Sequence, residues 1–124
     1  MADVLDKRLQ YISMNGKQLF KLAVIKMIEA SEKALEMCGK KSEDLALIIP
    51  HQANLRIIDT LRKRIPLPKE KVFVNLDKYG NMSSATTIIG LDEAIRGGRV
   101  KSGDLVELVT FGGGLTWAAT VIRI

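Results

Sequence analysis

The sequence predicts an α/β domain, a mixed sheet with flanking helices that is closed at its C-terminus by a β-hairpin. Stretches whose apolar residues recur at helical spacing alternate with short strand-like runs. One such run, Leu45-Ala46-Leu47-Ile48-Ile49, is continuously apolar, the pattern of a strand covered on both faces in a mainly parallel sheet. The chain then ends differently, with two strand-like segments on either side of Gly112-Gly113-Gly114. A length of 124 residues, 47% of them apolar, is that of a single domain with material for a core.

Asn15-Gly16 marks a turn. From Lys17 onward, Phe20, Val24, Met27, Ile28, Ala34, Leu35 and Cys38 fall near helical spacing, until Gly39 offers a C-cap. The apolar strand follows and Pro50 bounds it, which sets His51 at its C-terminal end. A second helix is predicted over 53–65: at 100° per residue Leu55, Ile57, Ile58, Leu61 and Ile65 share one side, with Arg56 and Lys63 on the other. Asn54, in the first turn, leans toward the buried side. Pro66 and Pro68 end this helix, and Val72-Phe73-Val74 reads as a second short strand. Gly80 opens the turn that presents Asn81, and Ser83 or Ser84 caps a third helix that runs to Arg96 and stops at Gly97-Gly98. Ser102-Gly103-Asp104 turns into the strand from Leu105 to Phe111, and Leu115 to Ile124 completes the hairpin.

Composition narrows the function. No stretch approaches the roughly 18 apolar residues of a membrane span. Met1-Ala2-Asp3-Val4-Leu5-Asp6 has neither the basic nor the apolar region of a signal peptide, so a soluble cytoplasmic protein is expected. The single Cys38 forms no internal disulfide. The net charge of +5 is scattered and aromatics are only 5%, which makes nucleic acid a weak inference; an acidic protein or a phosphorylated ligand fits equally well. No metal-ligand cluster, phosphate loop or serine elbow stands out.

The chemistry concentrates in Pro50-His51-Gln52-Ala53-Asn54 and Tyr79-Gly80-Asn81-Met82-Ser83-Ser84-Ala85. Each run puts a hydrogen-bonding side chain where a strand gives way to a helix, and ligands of open α/β sheets gather at that edge. His51 is the only histidine, so any imidazole base or donor is this residue; its plainer reading is a structural histidine. Asn81 is either a turn residue that tolerates positive φ or a second neutral donor. Two such donors can stabilise a carbonyl oxygen as it becomes an oxyanion. The triple glycine is by default a tight turn, and otherwise a place where backbone N–H groups approach a reacting carbonyl closely. Arg56 and Lys63 share an exposed stripe and read first as solvated surface, with Asp59 placed to pair with Lys63. Cys38 reads as core packing, since it falls on or beside the apolar stripe near the end of its helix.

A resemblance rests on several motifs in sequence order. They are Tyr11-Ile12-Ser13-Met14-Asn15-Gly16, His51 to Ile58 as HQANLRII, Tyr79 to Ala85 as YGNMSSA, Leu91-Asp92-Glu93-Ala94, and Phe111-Gly112-Gly113-Gly114-Leu115-Thr116-Trp117. Together they resemble the C-terminal half of the β-ketoacyl-acyl carrier protein synthase III family, which initiates bacterial type II fatty-acid synthesis. YGNMSSA is also similar to plant-type polyketide synthases, whereas HQANLRII and FGGGLTW favour the synthase III branch. The resemblance implies that residues 1–124 form one half of the thiolase fold, in an enzyme that is a homodimer. It also implies no cofactor, the substrates being acetyl-CoA and malonyl-acyl carrier protein.

On this resemblance His51 and Asn81 are two members of a Cys-His-Asn triad whose Cys lies in an N-terminal half that the chain lacks. Cys38 does not match it, because nothing around Met37-Cys38-Gly39 looks like that nucleophile motif. The implied reaction is a decarboxylative Claisen condensation. Gly113 lends its backbone N–H to the oxyanion of acyl transfer, and His51, neutral with Nε2 protonated, joins the Asn81 amide as a donor during decarboxylation. Asn54 meets the pantetheine arm or an active-site water, Phe111 contacts substrate, and Arg56 and Lys63 meet the acidic carrier protein. The chain alone is then expected to be inactive and, with apolar surface uncovered, to self-associate. The alternative is a non-catalytic module binding carrier protein or coenzyme A, or a remnant fragment; nucleic acid and membrane are not expected partners.

Overall fold

A computed structural model describes residues 2–11 and 13–124, apart from the side chains of residues 2 and 3; Met1, and Ile12 of the first motif, lie outside the described residues. A short helix α1 (Ala2–Asp6), which the sequence pattern does not signal, precedes the long α2 (Gly16–Met37). Asn15 caps α2 by accepting the Gln18 N–H on its side-chain oxygen at 3.3 Å. At the other end Gly39 takes φ +61°, and the N–H groups of Gly39 and Lys40 return to the carbonyls of Glu36 and Leu35, a Schellman closure. Ala23, Val24, Met27, Ser31 and Leu35 form its buried stripe. Cys38 does not join them: it is exposed, because the chain leaves the helix at this residue and the stripe stops with Leu35. The expectation that Cys38 packs in the core is corrected accordingly.

Three strands, β1 (Leu47–Pro50), β2 (Leu105–Gly112) and β3 (Thr116–Arg123), form a mixed sheet in the order β1-β2-β3. β1 and β2 run parallel, with Leu47 opposite Val106 and Pro50 opposite Val109. β2 and β3 form the expected antiparallel hairpin, closing where Gly112 faces Thr116. All four residues of β1 are buried, as a continuously apolar run requires. Leu45, predicted to open this strand, instead closes a 3₁₀ turn at Ser42–Asp44.

Val72-Phe73-Val74 does not form a full strand. A single parallel bridge joins Val72 to Ile48, and the Phe73 N–H reaches the Ile48 carbonyl at 2.9 Å. Beyond it the side chain of Gln52 captures the backbone, donating to Phe73 O at 3.2 Å and accepting the Asn75 N–H at 3.2 Å. A side chain thus takes the ladder positions that a strand would fill.

α3 (Leu55–Arg64) turns Ile58 and Leu61 inward, with Ile65 buried at its end. Leu55, expected on that buried side, is 49% exposed because it opens the helix ahead of the packed turns. Asp59 pairs with Arg62 at 3.4 Å rather than with Lys63. After the short α4 (Leu76–Tyr79) the chain reverses at Gly80, φ +66°, and a 3₁₀ turn at Ser83–Ala85 leads into α5 (Thr86–Arg96). Neither Ser83 nor Ser84 caps α5 through its side chain; the 3₁₀ turn delivers the chain into the helix instead.

Successive residues of β1 face opposite sides of the sheet. Ile48 joins the core beneath α2 and α3 with Val24, Met27, Ile58, Leu61 and Val109. Leu47 and Ile49 join Phe73, Ala94, Val100 and Val106 on the other side, against α5. A Cβ on Gly90 would lie 2.7 Å from Ile49 Cγ2, so glycine is what lets α5 come this close to the sheet. The outer side of α5 leaves Ile88 59% and Ile95 42% exposed.

Candidate active site

Parallel pairing decides where the polar residues collect. The His51 N–H donates to the Val109 carbonyl at 2.8 Å, so the loop after β1 emerges beside the end of β2 and the glycine turn that follows it. The 72–75 segment runs parallel to β1 on its other side. One edge of the sheet therefore carries His51, the start of α3, the glycine turn and the entry to α5, the edge at which open α/β sheets bind ligands.

His51 is half-buried, and its Nδ1 lies 2.6 Å from Thr86 Oγ1. Thr86 is 1% exposed and its hydroxyl donates to the Ser83 carbonyl at 2.9 Å. The Ser83 N–H in turn donates to Asn81 Oδ1 at 2.9 Å. Because a backbone N–H can only donate, this contact assigns the amide: oxygen toward Ser83, and NH₂ with no hydrogen bond to the other described residues, available to donate. His51 and Asn81 are thus linked by hydrogen bonds through the Thr86 hydroxyl and the backbone of Ser83, whose carbonyl serves one side and whose N–H serves the other. Ser83 adopts φ +55°, a left-handed conformation costing roughly 1–2 kcal/mol for a residue with a Cβ. Such strain persists where surrounding contacts over-determine it, and it concentrates at functional sites. Burial holds the imidazole pKa below its ordinary 6.5, so His51 is neutral at pH 7.

Gln52, next to the histidine, is fully buried and also donates to Pro50 O at 2.7 Å. It ties the end of β1 to Phe73 and Asn75, and Asn75 Nδ2 continues to Glu93 Oε2 at 2.9 Å. Glu93 also accepts from Tyr79 at 2.8 Å and Lys78 at 3.1 Å. The Asn75 hydrogen bond, then those of Tyr79 and Lys78, hold its carboxyl below the ordinary carboxylate range. This second network clamps α4 to α5 and so fixes the base of the Gly80–Asn81 turn. Sequence reasoning passed over Thr86, Ser83 as a linker, and Gln52. The available signal was a glutamine beside the sole histidine at the end of a buried strand.

The remaining predicted residues divide. Asn54 is exposed and caps α3, accepting the Arg56 N–H at 2.8 Å on its side-chain oxygen, so it does not lean inward as expected. Gly113 is exposed in the glycine turn, and apart from its own atoms and those of Gly112 and Gly114 none of the described residues comes within 4 Å of where a Cβ would stand. Arg56 and Lys63 are exposed, the guanidinium of Arg56 resting 5.6 Å from the centre of the Phe20 ring. Phe111 is only 8% exposed and belongs to the core beneath α2 and α3. Cys38 lies on the connection that enters β1, at the sheet edge opposite His51. Among the described residues no three His, Cys, Asp or Glu side chains converge on a metal position, and no helix is long and apolar enough to cross a membrane.

Comparison with known proteins gives consistent matches. Residues 35–124 match the family model of the 3-oxoacyl-[acyl-carrier-protein (ACP)] synthase III C terminal. The β-ketoacyl-[acyl-carrier-protein] synthase III of Aquifex aeolicus is 53% identical over 113 residues, covering 91% of this chain and 37% of the relative. That of Caldanaerobacter subterraneus is 50% identical over 121 residues, covering 98% and 37%. The crystal structure of the 3-oxoacyl-[acyl-carrier-protein] synthase III from Aquifex aeolicus superposes with a TM-score of 0.89 at 53% identity, over 92% of this chain and 37% of that one. The chain thus spans little more than a third of the length of the relatives it matches.

Proposed function

The chain belongs to the 3-oxoacyl-[acyl-carrier-protein] synthase III family, and from that premise we propose that it is the C-terminal half of a thiolase-fold enzyme that initiates fatty-acid synthesis by condensing acetyl-CoA with malonyl-acyl carrier protein. The observation that carries this reading is the hydrogen-bonded link from His51 through Thr86 and Ser83 to Asn81, which holds a neutral imidazole and an amide NH₂ available to donate at one sheet edge. The nucleophilic cysteine comes from an N-terminal half, and the apolar stripe of Ile88 and Ile95 on α5 is the face that meets it.

Condensation then proceeds in two stages. The cysteine sulfur attacks the acetyl thioester, coenzyme A leaves as its thiol, and the Gly113 N–H supports the oxyanion between. Malonyl-acyl carrier protein enters next. Its C–CO₂ bond breaks, the electron pair moves into an enolate whose oxygen faces Asn81 Nδ2 and the His51 ring, and the carbanion attacks the acetyl-cysteine thioester. The products are CO₂, acetoacetyl-acyl carrier protein and the cysteine thiolate, which takes up a proton to restore the thiol. Asn54 lies where a pantetheine arm passes, and Arg56 and Lys63 offer positive charge to the acidic carrier. Phe111 supports the substrate side from the core, behind the glycine turn. The complete enzyme works as a cytoplasmic homodimer without a cofactor.

The test combines this chain with the N-terminal part of a synthase III relative and follows malonyl decarboxylation and acetoacetyl formation. The chain alone should be inactive and the combination active. His51→Ala and Asn81→Ala should each lower turnover about 10²- to 10³-fold, the cost of one oxyanion donor. Turnover that survives the double substitution would remove these two residues from the mechanism.

A further inference from the structure

We propose that Thr86 is a positioning residue that decides which nitrogen of His51 carries the proton, placing it on Nδ1 and leaving Nε2 as a lone pair. Thr86 Oγ1 has one hydrogen, and two polar atoms lie within its reach: Ser83 O at 2.9 Å, which can only accept, and His51 Nδ1 at 2.6 Å, which can do either. Both contacts are hydrogen bonds in only one arrangement, with the hydroxyl donating to Ser83 and Nδ1–H donating to the hydroxyl. In the reverse arrangement the two oxygens would face each other at 2.9 Å with no hydrogen between them. Thr86 is 1% exposed, so solvent does not readily supply a substitute partner. Burial also keeps the ring neutral, so a single tautomer is at stake rather than the doubly protonated form.

This reverses the sequence-based expectation that Nε2 is the protonated nitrogen, and its catalytic consequence rests on the function proposed above. An unprotonated Nε2 accepts a hydrogen bond, and then the proton, from a cysteine thiol. The S–H bond breaks, an Nε2–H bond forms, and the thiolate attacks the acetyl carbonyl. The departing coenzyme A sulfur takes a proton from water, and Nε2 keeps the one it received until the cysteine sulfur reclaims it after condensation, so one solvent proton is consumed per turnover. During decarboxylation the enolate oxygen accepts from Asn81 Nδ2 and from the Nε2–H that His51 acquired from the thiol. Ser83 connects the two roles, since its carbonyl orients the Thr86 hydroxyl and its N–H orients the Asn81 amide.

With one histidine in the chain, ¹⁵N labelling gives a single set of imidazole signals, and long-range ¹H–¹⁵N correlation at pH 8 reads the tautomer directly. Wild type and Thr86→Ser should show Nδ1 protonated, whereas Thr86→Val should move the population toward Nε2–H. An Nε2–H signal in the wild type, or a Thr86→Val spectrum identical to it, would overturn the assignment; if Thr86→Val does not fold, the wild-type tautomer still decides. In the recombined enzyme Thr86→Val should slow acetylation of the cysteine about tenfold or more, a part of what a general base contributes, and Thr86→Ser should restore it. A wild type with no condensing activity but an Nδ1–H ring refutes the proposed function and leaves the role of Thr86 standing. An active wild type whose acetylation ignores Thr86→Val does the opposite.

Discussion

Replacing Glu107 by glutamine should make this chain more stable at alkaline pH while changing little in mild acid. Glu107 is fully buried in β2, flanked in register by Ile48 of β1 and Val121 of β3. Its one hydrogen bond is from Ser31 Oγ of α2 to Oε2 at 2.8 Å, and Oε1 has no partner among the described residues. Burial pushes its pKa from 4.5 up to about 7, with the Ser31 hydrogen bond pulling weakly the other way. The folded state therefore binds the proton more tightly than the unfolded chain. Between the two values the folded state holds more protons, so stability is fully present below 4.5 and is lost as pH rises toward and through 7. At about 1.4 kcal/mol per unit the loss is roughly 3 kcal/mol. A single domain has about 5–15 kcal/mol in all, so this is a large share. Urea denaturation at pH 5 and pH 8 measures it. Glu107→Gln keeps a partner for Ser31 and removes the charge, so it should match wild type at pH 5 and exceed it by about 2–3 kcal/mol at pH 8. His51 titrates in the opposite sense, but it is common to both proteins and cancels in the difference. An equal gap between variant and wild type at both pH values would refute the reasoning.

Gly90→Ala gains about 1 kcal/mol of helix propensity but drives a Cβ to 2.7 Å from Ile49 Cγ2, and overpacking of that kind costs about 1–3 kcal/mol. A lower melting temperature is the expected result, and a higher one would contradict the packing of α5. Gln52→Leu strands Pro50 O, Phe73 O and the Asn75 N–H, so denaturation should show a loss of at least about 2 kcal/mol, with faster hydrogen exchange at Asn75. Cys38 is exposed and should react with a thiol reagent under native conditions as fast as in denaturant; a native lag would return it to the core. Light scattering should find the isolated chain self-associated, and Ile88→Glu with Ile95→Glu should dissolve the association, since these side chains form an uncovered apolar stripe on α5.

The fold was legible wherever a local pattern and its physical cause coincide. A continuously apolar run became the buried β1, a triple glycine became the hairpin turn, and Gly39 closed α2 by the positive φ that only glycine takes freely. It was not legible where a distant side chain intervened. Val72-Phe73-Val74 has the composition of a strand, and nothing within it announces that Gln52 occupies its hydrogen-bonding groups. Leu55 and Cys38 fit the periodicity of their helices, yet one lies ahead of the packed turns and the other where the helix ends. In the site, His51 and Asn81 could be picked out by position at element ends. Thr86 could not, because a threonine opening a helix is unremarkable until the fold brings it against a histidine 35 residues away. Glu107 did carry a signal: in Val106-Glu107-Leu108-Val109 a period of two puts the carboxyl on the same face as Val109, inward.

The two hydrogen-bond networks, His51 to Asn81 and Gln52 to Glu93, close within this chain. Their members lie in the loop after β1, the 72–75 segment, α4, the turn from Gly80 to Ala85 and α5, all within this chain. The relative placement of the imidazole and the amide is consequently set before any partner arrives. Of the elements the proposed reaction needs, a partner half must add the thiol and an apolar surface to cover α5, and it need not order His51 or Asn81. Preorganised donors act without reorganising at the moment charge develops, which is where most of their value lies. Recombination of the two halves should therefore be limited by docking along the stripe of Ile88 and Ile95, with the tautomer of His51 unchanged between the isolated chain and the assembled enzyme.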